Sequence, residues 1–178
     1  CESETDKRKA IREVFDEILL HKDFSEPELE PRLLLDITDI WVEGKAWSAS
    51  PDIFVDCLRA IPAYDRKTIA LGPGWRTWLS AGDHLKQVLA EIRPLKTEDK
   101  PSMLCVLLSV AVSASDAKSA VRITREAGAL DRNPYSSVMA HGIKIAKNLP
   151  EEGQYRLFKM MLRKFVSLFS DVKLEYGA

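Results

Sequence analysis

Apolar residues in this chain recur every three to four positions, and nowhere do they alternate with polar ones between hairpin turns long enough to suit a strand. That spacing predicts a protein built from helices. Ile11, Val14, Phe15, Ile18 and Leu19 mark a first helix, and Leu29, Leu33, Ile37, Ile40 and Trp41 a second, opened by the capping sequence Ser25 to Glu28 and closed by Gly44. Ser50, Pro51 and Asp52 supply a cap, a proline suited to the first helical position and an early carboxylate. The helix they start carries Ile53, Phe54, Cys57, Leu58 and Ile61. Pro62 begins a short helical stretch that is expected to end at a turn formed by Gly72, Pro73 and Gly74.

Trp75, Trp78 and Leu79 precede Leu85, Val88, Leu89 and Ile92, with Gly82 and Asp83 placed to break and recap the helix between them. Thr97 is expected to start the next helix. Its residues 103 to 112 are apolar except for Ser109, as befits a central helix surrounded by neighbours, and the run is far shorter than the roughly 20 residues of a membrane span. Asp116 to Ala127 ends at Gly128, read as a left-handed cap; Pro134 opens a further helix, and Pro150 to Phe169 is the last. The expected fold is all-α, a compact bundle of about nine helices. Two packed units, 1–95 and 96–178, are the expected division.

The chain has 178 residues, of which 46% are apolar and 30% charged, enough to bury a core without disulfide or metal staples. Three cysteines cannot all pair, and Cys57 and Cys105 fall on apolar helical positions, which suits a reducing environment. The polar opening from Cys1 to Asp6 has no initiator Met and no signal-peptide pattern, as expected of a fragment or processed form. A net charge of -1 conceals a gradient: residues 1–40 hold six basic and twelve acidic side chains, residues 118–164 ten basic and four acidic. Such asymmetry can orient a partner or a second copy.

Trp41, Ser50, Pro51, Asp52, Phe54, Leu58, Leu71, Pro73, Thr77 and Trp78, taken as one string, resemble the WY-domain units of oomycete RXLR-type effectors. The string departs from that pattern where Ala81 stands in place of the expected aromatic, and Pro134, Met139 and Gly142 repeat the spacing of Pro73, Trp78 and Ala81 more faintly. The resemblance implies Trp41, Pro51, Phe54, Leu58, Pro73 and Trp78 as structural core. It also implies secretion, translocation into the cytoplasm or nucleus of a plant cell, and a host protein as partner, with immunity suppressed. It brings no catalytic residues. Without it, the chain is expected to be a cytoplasmic scaffold or adaptor of solenoid type.

His21, His84 and His141 stand far apart and no Cys-x-x-Cys pair occurs, so no metal site is expected, and no phosphate loop or dinucleotide fingerprint calls for a cofactor. No enzyme activity is expected either, although a site assembled from distant residues could escape a reading of this kind. The last helix has the most to offer a partner. It is apolar over more than half its circumference, with Phe158, Met161, Phe165 and Phe169 as expected anchors and Arg156, Lys159 and Arg163 steering an acidic protein surface. Homodimerisation through this helix fits the same pattern. The sequence pI of 6.4, and aromatics that do not interleave with the cations, argue against nucleic acid.

Overall fold

The computed structural model describes residues 6, 9, 13, 32–44 and 49–169, apart from the side chains of Leu33, Arg132, Phe165, Leu168 and Phe169. The apolar stripe from Ile11 to Leu19, the cap from Ser25 to Glu28 and Cys1 lie outside those residues, as do the anchors Phe165 and Phe169. Among the described residues every regular element is helical: α1 Leu33–Glu43, α2 Pro51–Ala60, α3 Ala63–Arg66, α4 Pro73–Ser80, α5 His84–Ile92, α6 Lys100–Ser113, α7 Ala117–Ala127, α8 Arg132–Ile145 and α9 Glu151–Phe169, with a 3-10 turn at Ala146–Asn148. The chain divides into two units, residues 1–65 with 70–91, and residues 66–69 with 92–178.

The first unit is organised by α1, against which α2 and α4 pack. Ser50 is the extended N-cap of α2 with Pro51 at its first position, and the helix then buries Ile53, Phe54, Val55, Cys57 and Leu58. Gly72, Pro73 and Gly74, expected to form a turn, instead start α4. Gly72 is its N-cap and Pro73 its first residue. No side chain of α4's own supplies the cap. Asp39 of α1 does so across the interface, its Oδ1 accepting the Trp75 backbone N–H at 2.7 Å. A Cβ on Gly72 would collide with the Asp39 carboxylate, and one on Gly74 with the Asp39 carbonyl and, at 2.9 Å, the Glu43 nitrogen. The two glycines are therefore what lets α4 meet α1 end-on.

That approach also corrects the expected core. Among the described tryptophans Trp75, not Trp41 or Trp78, is the wholly enclosed one at 0% exposure. Its ring lies 4.9 Å from Phe54 and 5.4 Å edge-on from Trp78, and its indole Nε1–H donates to Thr38 Oγ1 at 3.1 Å. Phe54 and Leu58 are buried as expected, whereas Trp41, Pro51 and Trp78 are half-buried and Pro73 is exposed. Pro73 sits on the outer side of the first turn because its glycine neighbours occupy the contact with Asp39. Two further boundaries differ from expectation: α3 ends at Arg66, well before Gly72, and α6 starts at Lys100 instead of Thr97.

The second unit is built round α6, whose residues 102–112 are buried except for Ser109. Helices α7 and α8 pack against it, and α9 packs on α7 and α8. Arg66 is drawn into this unit because its guanidinium, 4% exposed, reaches Asp99 at 2.6 Å and Ser102 Oγ at 3.2 Å. A buried cation so paired is satisfied rather than available. Among the described residues of this unit the left-handed one is Ser115, with φ of 54°, and not Gly128, whose φ is −62°. Ser115 N–H bonds the Val112 carbonyl and Asp116 N–H the Ala111 carbonyl, which closes α6 in a Schellman motif. Asp116 then caps α7 by accepting from the Ser119 N–H at 3.0 Å. Ser115 is thus the link between two helices, not the start of one as Ser50 is.

Candidate functional site

Helices α7 and α9 run parallel. Gly153 near the start of α9 lies beside Ala117 at the start of α7, where an added Cβ would come within 2.9 Å of the Ala117 Cβ, and Gly128 past the end of α7 lies beside the Lys164 stem. Small residues at the near end bring the helices together, and the third neighbour, α8, fixes α9 from beneath. Tyr135, 1% exposed, donates from its hydroxyl to the Met161 carbonyl at 3.0 Å, and burial pushes the phenol pKa up, so the group stays a donor. Leu157 and Met161 turn inward, and α7 contributes Ala120, Ile123, Thr124 and Ala127 to the same core.

On the outer side the two helices leave an open groove of about 650 Å³. Six of its lining residues are cations: Lys118 and Arg125 on α7, and Arg156, Lys159, Arg163 and Lys164 on α9. No carboxylate belongs to the described lining. Between the cations the floor is apolar or neutral, with Val121, Met160 and buried Thr124 and Tyr135. Arg156 pairs with Glu152 one turn away, and the Lys159 ammonium lies 5.4 Å from the Tyr155 ring centroid. Arg125, Arg163 and Lys164 make no ion pair with a described residue. An exposed cation at rest in water costs little, but six of them around one concavity raise the local concentration of anions.

The structure sorts the residues expected to hold a partner into two groups. Arg156, Lys159 and Arg163 line the groove together. Met161, expected as an anchor, is 1% exposed, and its terminal methyl occupies the space over Gly142, so it belongs to the core and cannot touch a partner. Phe158 is half-buried. Reading α9 as one broad apolar face missed that its register splits: Met160, next to Met161, is the residue that lines the groove. A second apolar line, Tyr155, Leu162 and Val166, is exposed at 60% or more on another side of α9. Lys118, Val121 and Arg125 went unnoticed because one helix shows only half of a two-walled groove; their i, i+3, i+7 spacing was the available signal.

The described thiols and imidazoles are engaged elsewhere. Burial pushes the Cys57 thiol up to about 12 and the Cys105 thiol up to about 11, so neither is a thiolate at neutral pH. His84 stacks on Trp78 with ring centroids 4.3 Å apart, its Nδ1 2.8 Å from the Trp78 carbonyl oxygen. His141 Nε2 lies 2.8 Å from Ser109 Oγ, and burial, followed by Lys144 and Lys67 nearby, pushes the imidazole pKa down. Among the described residues no cluster of three His, Cys, Asp or Glu could hold a metal ion. No described helix is long and apolar enough to cross a membrane. Compared with known proteins, the chain matches no family model, no curated protein and no solved structure.

Proposed function

We propose that the protein is a non-enzymatic helical binding module that holds an acidic surface of another protein in the α7/α9 groove. The single observation behind this reading is the set of six cations around an apolar floor with no carboxylate in the described lining; Arg156 alone among them pairs with a described carboxylate, Glu152 beside the groove. Charges so placed steer encounter, and Val121 and Met160 offer area that becomes dry only when a partner covers it. The WY-like string supports a more specific version: a pathogen effector that is secreted, enters plant cells, binds a host protein and dampens immunity.

Affinity capture from plant extract tests both levels. The native chain is expected to retain an acidic host protein, and the double variant Arg125→Glu, Arg163→Glu to lose it while keeping its helical circular dichroism. Equal retention by the variant contradicts the groove as the binding surface. A second reading, homodimerisation through α9, is favoured by the exposed line of Tyr155, Leu162 and Val166. Sedimentation equilibrium should then show a dimer that Leu162→Asp converts to a monomer, and a native chain monomeric at every concentration removes that reading.

A further inference from the structure

The two walls of the α7/α9 groove repeat one pattern. On α7 the order is Lys118, Val121, Arg125, and on α9 it is Arg156, Met160, Arg163, each a basic, an apolar and a basic residue at i, i+3 or i+4, and i+7. Seven residues of helix advance about 10.5 Å. Because the helices are parallel, with Ala117 beside Gly153 and Gly128 beside Lys164, the patterns come into step. Lys118 and Arg156, the latter also paired with Glu152, form one tier, Arg125, Arg163 and Lys164 the other, and Val121 and Met160 the waist between them, with Lys159 beside Met160.

We propose that the groove takes an amphipathic α-helix of a partner protein, as a third helix laid along α7 and α9, whose contact face carries carboxylates at i and i+7 and an apolar side chain at i+3 or i+4. This rests on the reading of the groove as a protein-docking surface and names the shape and register of what docks. The spacing selects a helix. An extended strand advances about 3.3 Å per residue with side chains alternating between faces, so residues three apart span the tiers but point opposite ways. Two turns of helix span the same distance with both carboxylates on one face. A nucleic acid backbone carries an unbroken row of charge, for which Val121 and Met160 offer no contact; between the tiers the described lining has only one cation, Lys159, whose ammonium lies near the Tyr155 ring. An acidic helix instead buries an apolar side chain against Met160 and Val121 while its carboxylates face the cation tiers, and Arg can take a carboxylate in two parallel hydrogen bonds.

Fluorescence anisotropy on the full chain with two labelled peptides of equal composition, net charge and helix content provides the test. In one, glutamates at i and i+7 flank leucines at i+3 and i+4; in the other, the same residues are permuted so that the glutamates spread around the helix. The registered peptide is expected to bind at least ~10-fold more tightly. Arg125→Glu and Arg163→Glu should each abolish its binding, and a peptide with lysine at the facing position should restore binding to the Arg125→Glu variant. Arg122→Glu, the same charge change on an exposed α7 residue outside the groove, should leave affinity within twofold. Equal binding of both peptides overturns the register while leaving an acidic partner in place. Binding of neither peptide overturns the docking reading as well. Tighter binding of a single-stranded RNA oligomer, or of vesicles containing a phosphoinositide, than of the registered peptide overturns the helix as occupant.

Discussion

Both units bury satisfied polar groups, but the second also carries a cluster of cations on its surface. Around α1, the Asp39 carboxylate caps α4, the Thr38 hydroxyl donates to the Leu34 carbonyl at 2.7 Å and receives the Trp75 indole, and the Cys57 thiol completes the set at 3.6 Å from Thr38. Each of these groups is buried and none faces a ligand. Around α6 the core also holds satisfied polar groups, Arg66 with Asp99 and Ser102 and Tyr135 with the Met161 carbonyl, but this unit further presents the cations of α7 and α9, of which Arg125, Arg163 and Lys164 make no ion pair with a described residue. Buried polar networks that are fully satisfied specify one arrangement of helices, whereas unneutralised surface charge does nothing for folding and is available for recognition. On the proposed reading, the first unit is structural and the second carries the docking groove.

The contrast breaks most visibly at Trp75. Trp75→Ala removes the ring that Phe54 and Trp78 pack on and should cost about 3–5 kcal/mol in urea denaturation, while the registered peptide binds the still-folded fraction unchanged. Gly74→Ala drives a methyl into the Asp39 carbonyl and the Glu43 nitrogen, both main-chain atoms that cannot swing away, and is expected to cost about 1–3 kcal/mol. A loss below a few tenths of a kcal/mol would show that α4 does not meet α1 so closely.

How much of this was legible in the sequence depends on what each feature required. Among the described residues most helix positions followed from local spacing, the end of α3 and the start of α6 excepted, and the proline and serine signals located α2, α8 and α9 to within a residue or two. The Gly72 to Gly74 triplet was misjudged because the cap of α4 comes from Asp39, distant in sequence, and local capping rules see only neighbours. Trp75 was passed over for Trp78 for the same reason: nothing nearby in the chain marks the face that Thr38 and Asp39 complete. Half of the groove was visible as the basic face of α9. The other half needed the parallel pairing of α7, which rests on Gly153 and Ala117 and has no local signature.

Smaller effects sharpen the picture of the second unit. His141 is held below its ordinary pKa by burial and by Lys144 and Lys67, so the unfolded chain binds its proton more readily than the folded one. Its contribution to stability is therefore complete above the unfolded value of about 6.5 and declines as pH falls below it. Urea midpoints should drop between neutral and mildly acid pH, and His141→Gln should flatten that slope; an unchanged slope contradicts the depressed pKa. Ser115→Gly relieves a left-handed serine at the close of α6 and is expected to add about 0.5–1 kcal/mol. A loss of stability there would mean the serine side chain contributes more than its backbone strain costs.

The proposed division of labour between the units is tested most directly by titrating the 15N-labelled chain with the registered acidic peptide and following the amide and indole resonances. Shifts are expected to centre on Lys118 to Gly128 and Arg156 to Lys164, with the Trp75 indole N–H unmoved at saturation. Shifts centred on the first unit, or a spectrum unchanged at saturating peptide, would contradict the account.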